Sequence, residues 1–206
     1  MIVSFAHNFI FAAIPKTGTH AVRRALREHL GPEDLEQVKL FINSSFPIPE
    51  LAALKHGHIS LSQLRPHLPP EQFASFFKFA FVRNPFDRFV SYCSFMTRRN
   101  GEFLADPHRV MRHLLQNPPR QHVLFWPQSD FVTDADGALI TNYLGRVEEM
   151  QESFDEIARR IGIPTVPLDK VNTSEREDYR RYYTAALVAE VERLYARDLE
   201  LFDYHF

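Results

Sequence analysis

Apolar residues fall along this chain in short solid blocks that alternate with stretches of helical spacing. Phe9-Ile10-Phe11-Ala12-Ala13 and Phe77-Lys78-Phe79-Ala80-Phe81-Val82 are the clearest blocks. Both are too short for an ordinary helix and read as strands buried on both faces. Each runs into polar, turn-forming residues and then into a segment with apolar positions three and four apart. Ala21, Val22, Ala25 and Leu26 line one face of a helix predicted over 21–30, which stops at Gly31-Pro32. Phe86, Phe89, Val90, Cys93 and Met96 line a second, predicted over 86–99 and ended by Gly101. Arg88 falls on the predicted exposed side of that helix and reads as structural.

The same reading covers the remainder of the chain. A strand is expected over 53–59, followed by turns at Pro66 and Pro69-Pro70 and a short helix over 71–76. Asp106-Pro107 is an N-cap and first-turn pair for a helix carrying Val110, Met111, Leu114 and Leu115, broken by Pro118-Pro119. Residues 121–137 read as loop, 139–147 as a strand and 148–161 as a helix closed by Gly162. Ser174-Glu175-Arg176-Glu177 has capping-box form ahead of a helical tail with Leu187, Val188, Val191, Leu194, Tyr195 and Leu199. Strands alternating with helices imply a mainly parallel sheet covered on both faces. No repeat or linker interrupts the pattern, so residues 1–206 are expected to form a single domain.

Composition narrows the classes. A chain of 206 residues, 45% hydrophobic and 13% aromatic, has the material for one sizeable core. A net charge of −2 argues against general nucleic-acid binding while leaving room for a local basic cleft. Lysine stands only at 16, 39, 55, 78 and 170 and arginine greatly outnumbers it, which suits recognition of phosphate or sulfate. Cys93 is the only cysteine, so no intrachain disulfide or cysteine zinc cluster is possible, and its spacing reads as core. His108, His113 and His122 lack metal-ligand spacing, and no metal is expected. Residues 1–8 lack a basic n-region and read as part of the fold. No apolar stretch reaches the roughly 18 residues of a spanning helix. A soluble, cytoplasmic location is the expectation.

Two segments carry chemistry. Ile14-Pro15-Lys16-Thr17-Gly18-Thr19-His20 lies between a strand and a helix, the arrangement that presents backbone N–H groups and a helix N-terminus to an anion. Lys16 adds a point charge, Gly18 permits close approach, and Thr17 and Thr19 bring hydroxyls. The nucleotide loop G-x-x-x-x-G-K-[ST] is absent, because Lys16 precedes the glycine. In the second segment, Arg83-Asn84-Pro85 follows the Phe77 strand, and Ser91 lies within the ensuing helix. An ATPase or GTPase would usually place a magnesium-holding aspartate at such a strand end. The arginine here suits bidentate recognition of a second phosphate. In an open α/β sheet, ligands bind beyond the carboxyl ends of the strands, so both segments are expected at one crevice.

Together the Pro15-Lys16-Thr17-Gly18-Thr19 loop and the Arg83-Asn84-Pro85 to Ser91 segment resemble the two signatures of sulfotransferases, which use 3′-phosphoadenosine 5′-phosphosulfate (PAPS) as donor. Lys55-His56-Gly57-His58-Ile59-Ser60 is similar to the His-Gly-His segment of glycosaminoglycan uronosyl 2-O-sulfotransferases. The stretch from Tyr143 to Glu148 and the tail from Asn172 to Tyr204 look like the same carbohydrate branch. The resemblance implies an α/β, P-loop-like three-layer α/β/α fold with a central, mainly parallel sheet. It implies that Lys16, Thr17, Gly18, Thr19 and His20 grip the 5′-phosphosulfate and that Arg83 and Ser91 grip the 3′-phosphate. It further implies that Arg176 is a nucleotide contact, that His58 is the general base that takes the acceptor's proton, and that His56 is a substrate contact.

The activity so implied is sulfuryl transfer from PAPS to a hydroxyl of a saccharide or glycoconjugate, in a bacterial enzyme without metal. His58, with an ordinary histidine pKa of about 6.5, would give a rate that rises with pH along one acidic limb. Glu71 and Asp87 read as helix-start carboxylates, Gln128 as a residue that lines an acceptor cleft, and Trp126 as one that lines it or anchors packing. Two alternatives stand beside this. A nucleotide kinase or NTPase would use the same sheet, and a non-catalytic 3′-phosphonucleotide-binding protein would keep the pocket without turnover.

Overall fold

The computed structural model describes residues 1–37, 46–168 and 178–206. Five strands form one sheet: β1 (Ile2–Ser4), β2 (Phe9–Ala12), β3 (Leu35–Glu36), β4 (Phe77–Val82) and β5 (Tyr143–Arg146). In chain order the helices are α1 (Thr19–Arg27), α2 (Pro49–Ala52), α3 (Leu61–Leu64), α4 (Pro70–Ser75) and α5 (Pro85–Met96). There follow α6 (Glu102–Ala105), α7 (Pro107–Gln116), α8 (Met150–Ile161), α9 (Ala185–Leu194) and α10 (Ala196–Phe202).

The spatial order of the strands is β3-β1-β2-β4-β5. β2, β4 and β5 are parallel, with Phe9 opposite Phe77, Phe11 opposite Phe79, and Phe81 opposite Gly145. β1 and β3 add antiparallel pairings beside β2. The architecture is therefore the expected three-layer α/β one, on a mixed sheet whose parallel part is β2-β4-β5. Residues 1–8 are part of the fold, as their sequence suggests, and form a hairpin arm with β2. Asp34 fixes that turn: its carboxylate accepts from Ser4 Oγ at 2.7 Å and from the N–H groups of Phe5 (2.6 Å), Ala6 (3.1 Å) and Gly31 (2.9 Å). Partial burial alone would raise its pKa, but these four donors hold it below the usual carboxylate value.

The solid apolar blocks are strands because both faces are covered. Every residue of β2 is buried, as are Lys78 to Val82 of β4. Lys78 tolerates this by donating its Nζ to the carbonyls of Phe73, Ala74 and Phe76 at the end of α4. Phe9, Phe11, Phe79 and Phe81 join Val22 and Leu26 of α1 and Phe154, Ile157 and Ile161 of α8 in one core.

The chain divides into two compact units, Met1–Val82 with Asp130–Val171 and Arg83–Ser129 with Asn172–Phe206. The sheet, α1 and α8 belong to the first. In the second, Phe86, Phe89, Val90 and Cys93 of α5 pack with Val110 and Met111 of α7, Phe125, and Leu187 and Val191 of α9. Arg88 corrects the sequence reading: it is 2% exposed. Its guanidinium lies 5.4 Å from the centre of the Tyr195 ring and donates to the Trp126 carbonyl. Such partners make a buried cation tolerable, and they come from distant parts of the chain.

Candidate functional site

The turn between β2 and α1 follows from its sequence. Lys16 and Gly18 both adopt left-handed backbone conformations, with φ of 68° and 71°. Alternating left-handed residues fold N–H groups toward a common centre, the concavity that binds anions. Gly18 is the N-cap of α1, and its side without a Cβ faces Met150, whose Cε would lie 2.6 Å from an added methyl. The first N–H groups of α1 have no intrahelical acceptors and carry the positive end of the helix dipole. Thr17 is fully buried and donates its hydroxyl to the Ile14 carbonyl at 2.9 Å. Its hydroxyl proton thus braces the loop, and its backbone remains as its donor to an anion. Thr19 is buried, Lys16 half-buried and His20 exposed.

Positive charge gathers at this helix start. Partial desolvation, then Arg23, Lys16, Arg27 and Arg24, hold the His20 pKa below the ordinary histidine value. A neutral His20 beside four cations is a hydrogen-bonding group whose protonation an arriving anion would favour. Arg23 is 5% exposed, and burial lowers its pKa to about 10 against the attraction of Glu36, so it stays charged at neutral pH.

The His-Gly-His segment is not the strand that the sequence analysis expected. Residues 55–60 are bend and coil beyond α2. They are held by single long-range bonds: the Gly57 carbonyl accepts from Arg23 Nη2 at 2.9 Å and from the Met1 nitrogen, and His58 Nδ1 meets the Ala13 carbonyl at 2.7 Å. The sequence shows no such ladder-free segment because its fixing groups are 34 to 56 positions away. His56 and His58 nevertheless lie together, with ring centres 6.3 Å apart.

The Ala13 bond fixes the His58 tautomer. Since a carbonyl only accepts, Nδ1 carries the proton and Nε2 keeps its lone pair. Ala13 is the first residue beyond β2, so this imidazole is anchored at the root of the Lys16–Gly18 turn. Desolvation lowers the His58 pKa to about 3 despite the hydrogen bond, with the Met1 amino group, Arg23 and His56 adding to the effect. The ring is thus neutral throughout the physiological range, and the acidic limb expected near pH 6.5 moves well below it.

Arg83, the residue after β4, opens the second unit. Its Nε donates to Asp87 Oδ2 at 2.7 Å, and its Nη2 lies 2.5 Å from the same oxygen. The helix-start reading of Asp87 therefore gains a role, since it orients the Arg83 guanidinium one turn away. Asn84 caps α5 by accepting from Phe86 N–H and donates Nδ2 to the His205 carbonyl. Ser91 sits within α5 and is 3% exposed. Gln128, read as a cleft-lining residue, is instead fully buried against the Arg83 backbone. Trp126 is half-buried, with Nε1 donating to the Arg120 carbonyl. Glu71 is exposed at the start of α4. Arg176 and the capping-box residues lie outside the described residues.

Of the expected site residues, Lys16, Thr17, Gly18, Thr19, His20, His56 and His58 belong to the first unit, and Arg83 and Ser91 to the second. Arg23 was missed because a buried arginine on an otherwise apolar helix face has no signal in one sequence. Among the described residues, no group of three or more histidine, cysteine or acidic side chains is arranged to hold a metal ion. None of the helices there is long and apolar enough to cross a membrane.

The parallel part of a mixed sheet, leading through a left-handed turn with cationic neighbours into a helix, defines an α/β protein. The chain matches the family model described as Sulfotransferase family over residues 1–205, and it belongs to that family. Its chemistry in general terms is therefore that of a transferase moving a sulfuryl group. Searches of curated proteins and of solved structures return no match.

Proposed function

We propose that the protein transfers a sulfuryl group from PAPS to a hydroxyl of a carbohydrate or glycoconjugate, releasing adenosine 3′,5′-bisphosphate. The observation that carries this reading is the turn at Lys16 and Gly18, rooted at Ala13 where His58 is anchored. A turn of this shape accommodates the 5′-phosphosulfate, and a base beside it serves the attacking hydroxyl. The resemblance supplies the assignment of Arg83 and Ser91 to the 3′-phosphate and of His56 to the acceptor.

The acceptor oxygen forms a bond to sulfur as the bond from sulfur to the bridging phosphate oxygen breaks. The hydroxyl proton passes to Nε2 of His58, leaving an imidazolium whose Nδ1–H still donates to Ala13. Lys16 and the N–H groups at the start of α1 meet the charge that develops on the departing phosphate, the positioning and electrostatic logic of phosphoryl transfer. The nucleophile's proton and the leaving group's charge are thus handled by different residues.

Thermal shift tests the donor assignment, because a ligand that binds only the folded state raises the midpoint. Adenosine 3′,5′-bisphosphate is expected to raise it far more than AMP, or ATP with magnesium. Arg83→Ala should remove most of that shift and leave the unliganded protein folded. A shift with ATP and magnesium but none with the bisphosphate would replace this reading by the NTPase one. Transfer of radiolabelled sulfate from PAPS to hydroxylated saccharides then tests turnover and separates an enzyme from a protein that only binds.

A further inference from the structure

The Arg83 main chain is held by one side chain that no signature includes. Its N–H donates to Gln128 Oε1 at 2.9 Å, and its carbonyl accepts from Gln128 Nε2 at 2.8 Å. A single amide therefore closes both main-chain hydrogen bonds of the residue at which the chain leaves the sheet, as a neighbouring strand would. Gln128 is 0% exposed, so its amide must find its partners within the protein. Its own backbone is fixed in turn: Asp198 of α10, also 0% exposed, accepts Gln128 N–H at Oδ2 (2.7 Å) and Ser129 N–H at Oδ1 (2.9 Å). Asp87 fixes the other end of the same arginine, at the guanidinium.

We infer that Gln128 and Asp198 are positioning residues for 3′-phosphate recognition, acting through Arg83. The inference rests on the reading that Arg83 holds the 3′-phosphate of the donor. A bidentate contact depends on placing a planar fork to within a fraction of an ångström. The Asp87 bond sets the fork's rotation, while the Gln128 bracket sets where its stem begins. An apolar residue at 128 would leave a part-buried N–H and carbonyl without their partner, and the Arg83 backbone would move to satisfy them. The 5′ end of the nucleotide is assigned to other residues, so its recognition should be insensitive to that movement. Loss of selectivity is therefore the signature, where a merely structural role would weaken all nucleotides alike.

Calorimetric titration with adenosine 3′,5′-bisphosphate and with AMP, on the full chain, measures this. The wild type is expected to prefer the bisphosphate. Gln128→Leu should cut that preference about tenfold or more, with AMP affinity within about twofold of wild type. Gln128→Glu keeps the acceptor for Arg83 N–H and loses the donor, and should fall between the two. Asp198→Asn, which removes one acceptor of the pair, should lower the preference in the same direction and serves if Gln128→Leu does not fold. A folded variant at 128 or 198 with undiminished preference overturns the positioning role. A wild type that does not discriminate the two nucleotides overturns the donor reading itself.

Discussion

The proton on Nδ1 of His58 decides what this residue can do. Donated to the Ala13 carbonyl at 2.7 Å, it leaves Nε2 as an acceptor at every pH near neutrality, since desolvation puts the ring's pKa at about 3. A histidine shifted down in this way is ready to act but is a weak base, so its contribution should lie toward the lower end of the usual range, about 10². His58→Ala is expected to lower kcat about a hundredfold with bisphosphate affinity intact. The wild-type rate from pH 5 to 8 should show no inflection from this residue, because protonation sets in only as pH falls toward 3. A pH–rate profile with a limb near 6.5 that disappears in His58→Ala would contradict the desolvation of this ring. Lys16 predicts a different split. An interaction stronger in the transition state than in the ground state lowers kcat more than it raises KM, and Lys16→Ala should cost on the order of a hundredfold in kcat by comparison with lost oxyanion donors. Equal losses in kcat and donor affinity would make Lys16 a binding residue only.

At the scale of elements, what the sequence displayed depended on how local the cause was. β2, β4, α1, α5, α7 and α8 are recoverable because apolar periodicity, caps and prolines within each segment determine them. The strand expected over 139–147 shrinks to Tyr143–Arg146, since only that part pairs with β4. The strand expected over 53–59 fails for the opposite reason. It has few apolar residues, and the Arg23 side chain, the Met1 amino group and the Ala13 carbonyl hold it where a ladder would. The same locality rule separates the site residues. The Lys16 turn was legible as a contiguous motif, whereas Gln128 and Arg23 act through bonds spanning 45 and 34 positions. Gly57 shows how tight that distant fixation is. A methyl there would sit 2.2 Å from the Gln37 carbonyl oxygen and 2.7 Å from Arg23 Nη2. Gly57→Ala should destabilise the protein by about 1–3 kcal/mol, as overpacking does, measured as a lower denaturant midpoint at unchanged slope. It should also release His58 from Ala13. A variant as stable as wild type would mean that this segment moves freely.

Across the whole molecule, the single thiol offers a measure of how ligand binding and folding are linked. Cys93 is fully buried in α5, and burial raises its pKa well above the ordinary thiol value. A thiol reagent needs an exposed thiolate, so in the folded protein labelling should wait for an opening of the second unit that displaces α5. Ser91 lies two positions away on that helix, and Arg83 directly precedes its cap and start at Asn84 and Pro85. An opening that bares the sulfur must therefore disturb both residues. If they hold the 3′-phosphate, the bisphosphate binds only the closed form and slows labelling by the factor 1 + [L]/Kd, about a hundredfold at a hundred times Kd. The measurement is the rate of Cys93 modification with and without adenosine 3′,5′-bisphosphate, when closing outpaces reaction. Protection should be large in the wild type, small with AMP and nearly absent in Arg83→Ala. Labelling of the native protein as fast as of the denatured chain would refute the buried position of Cys93. Equal protection of Arg83→Ala and wild type would detach the 3′-phosphate from Arg83.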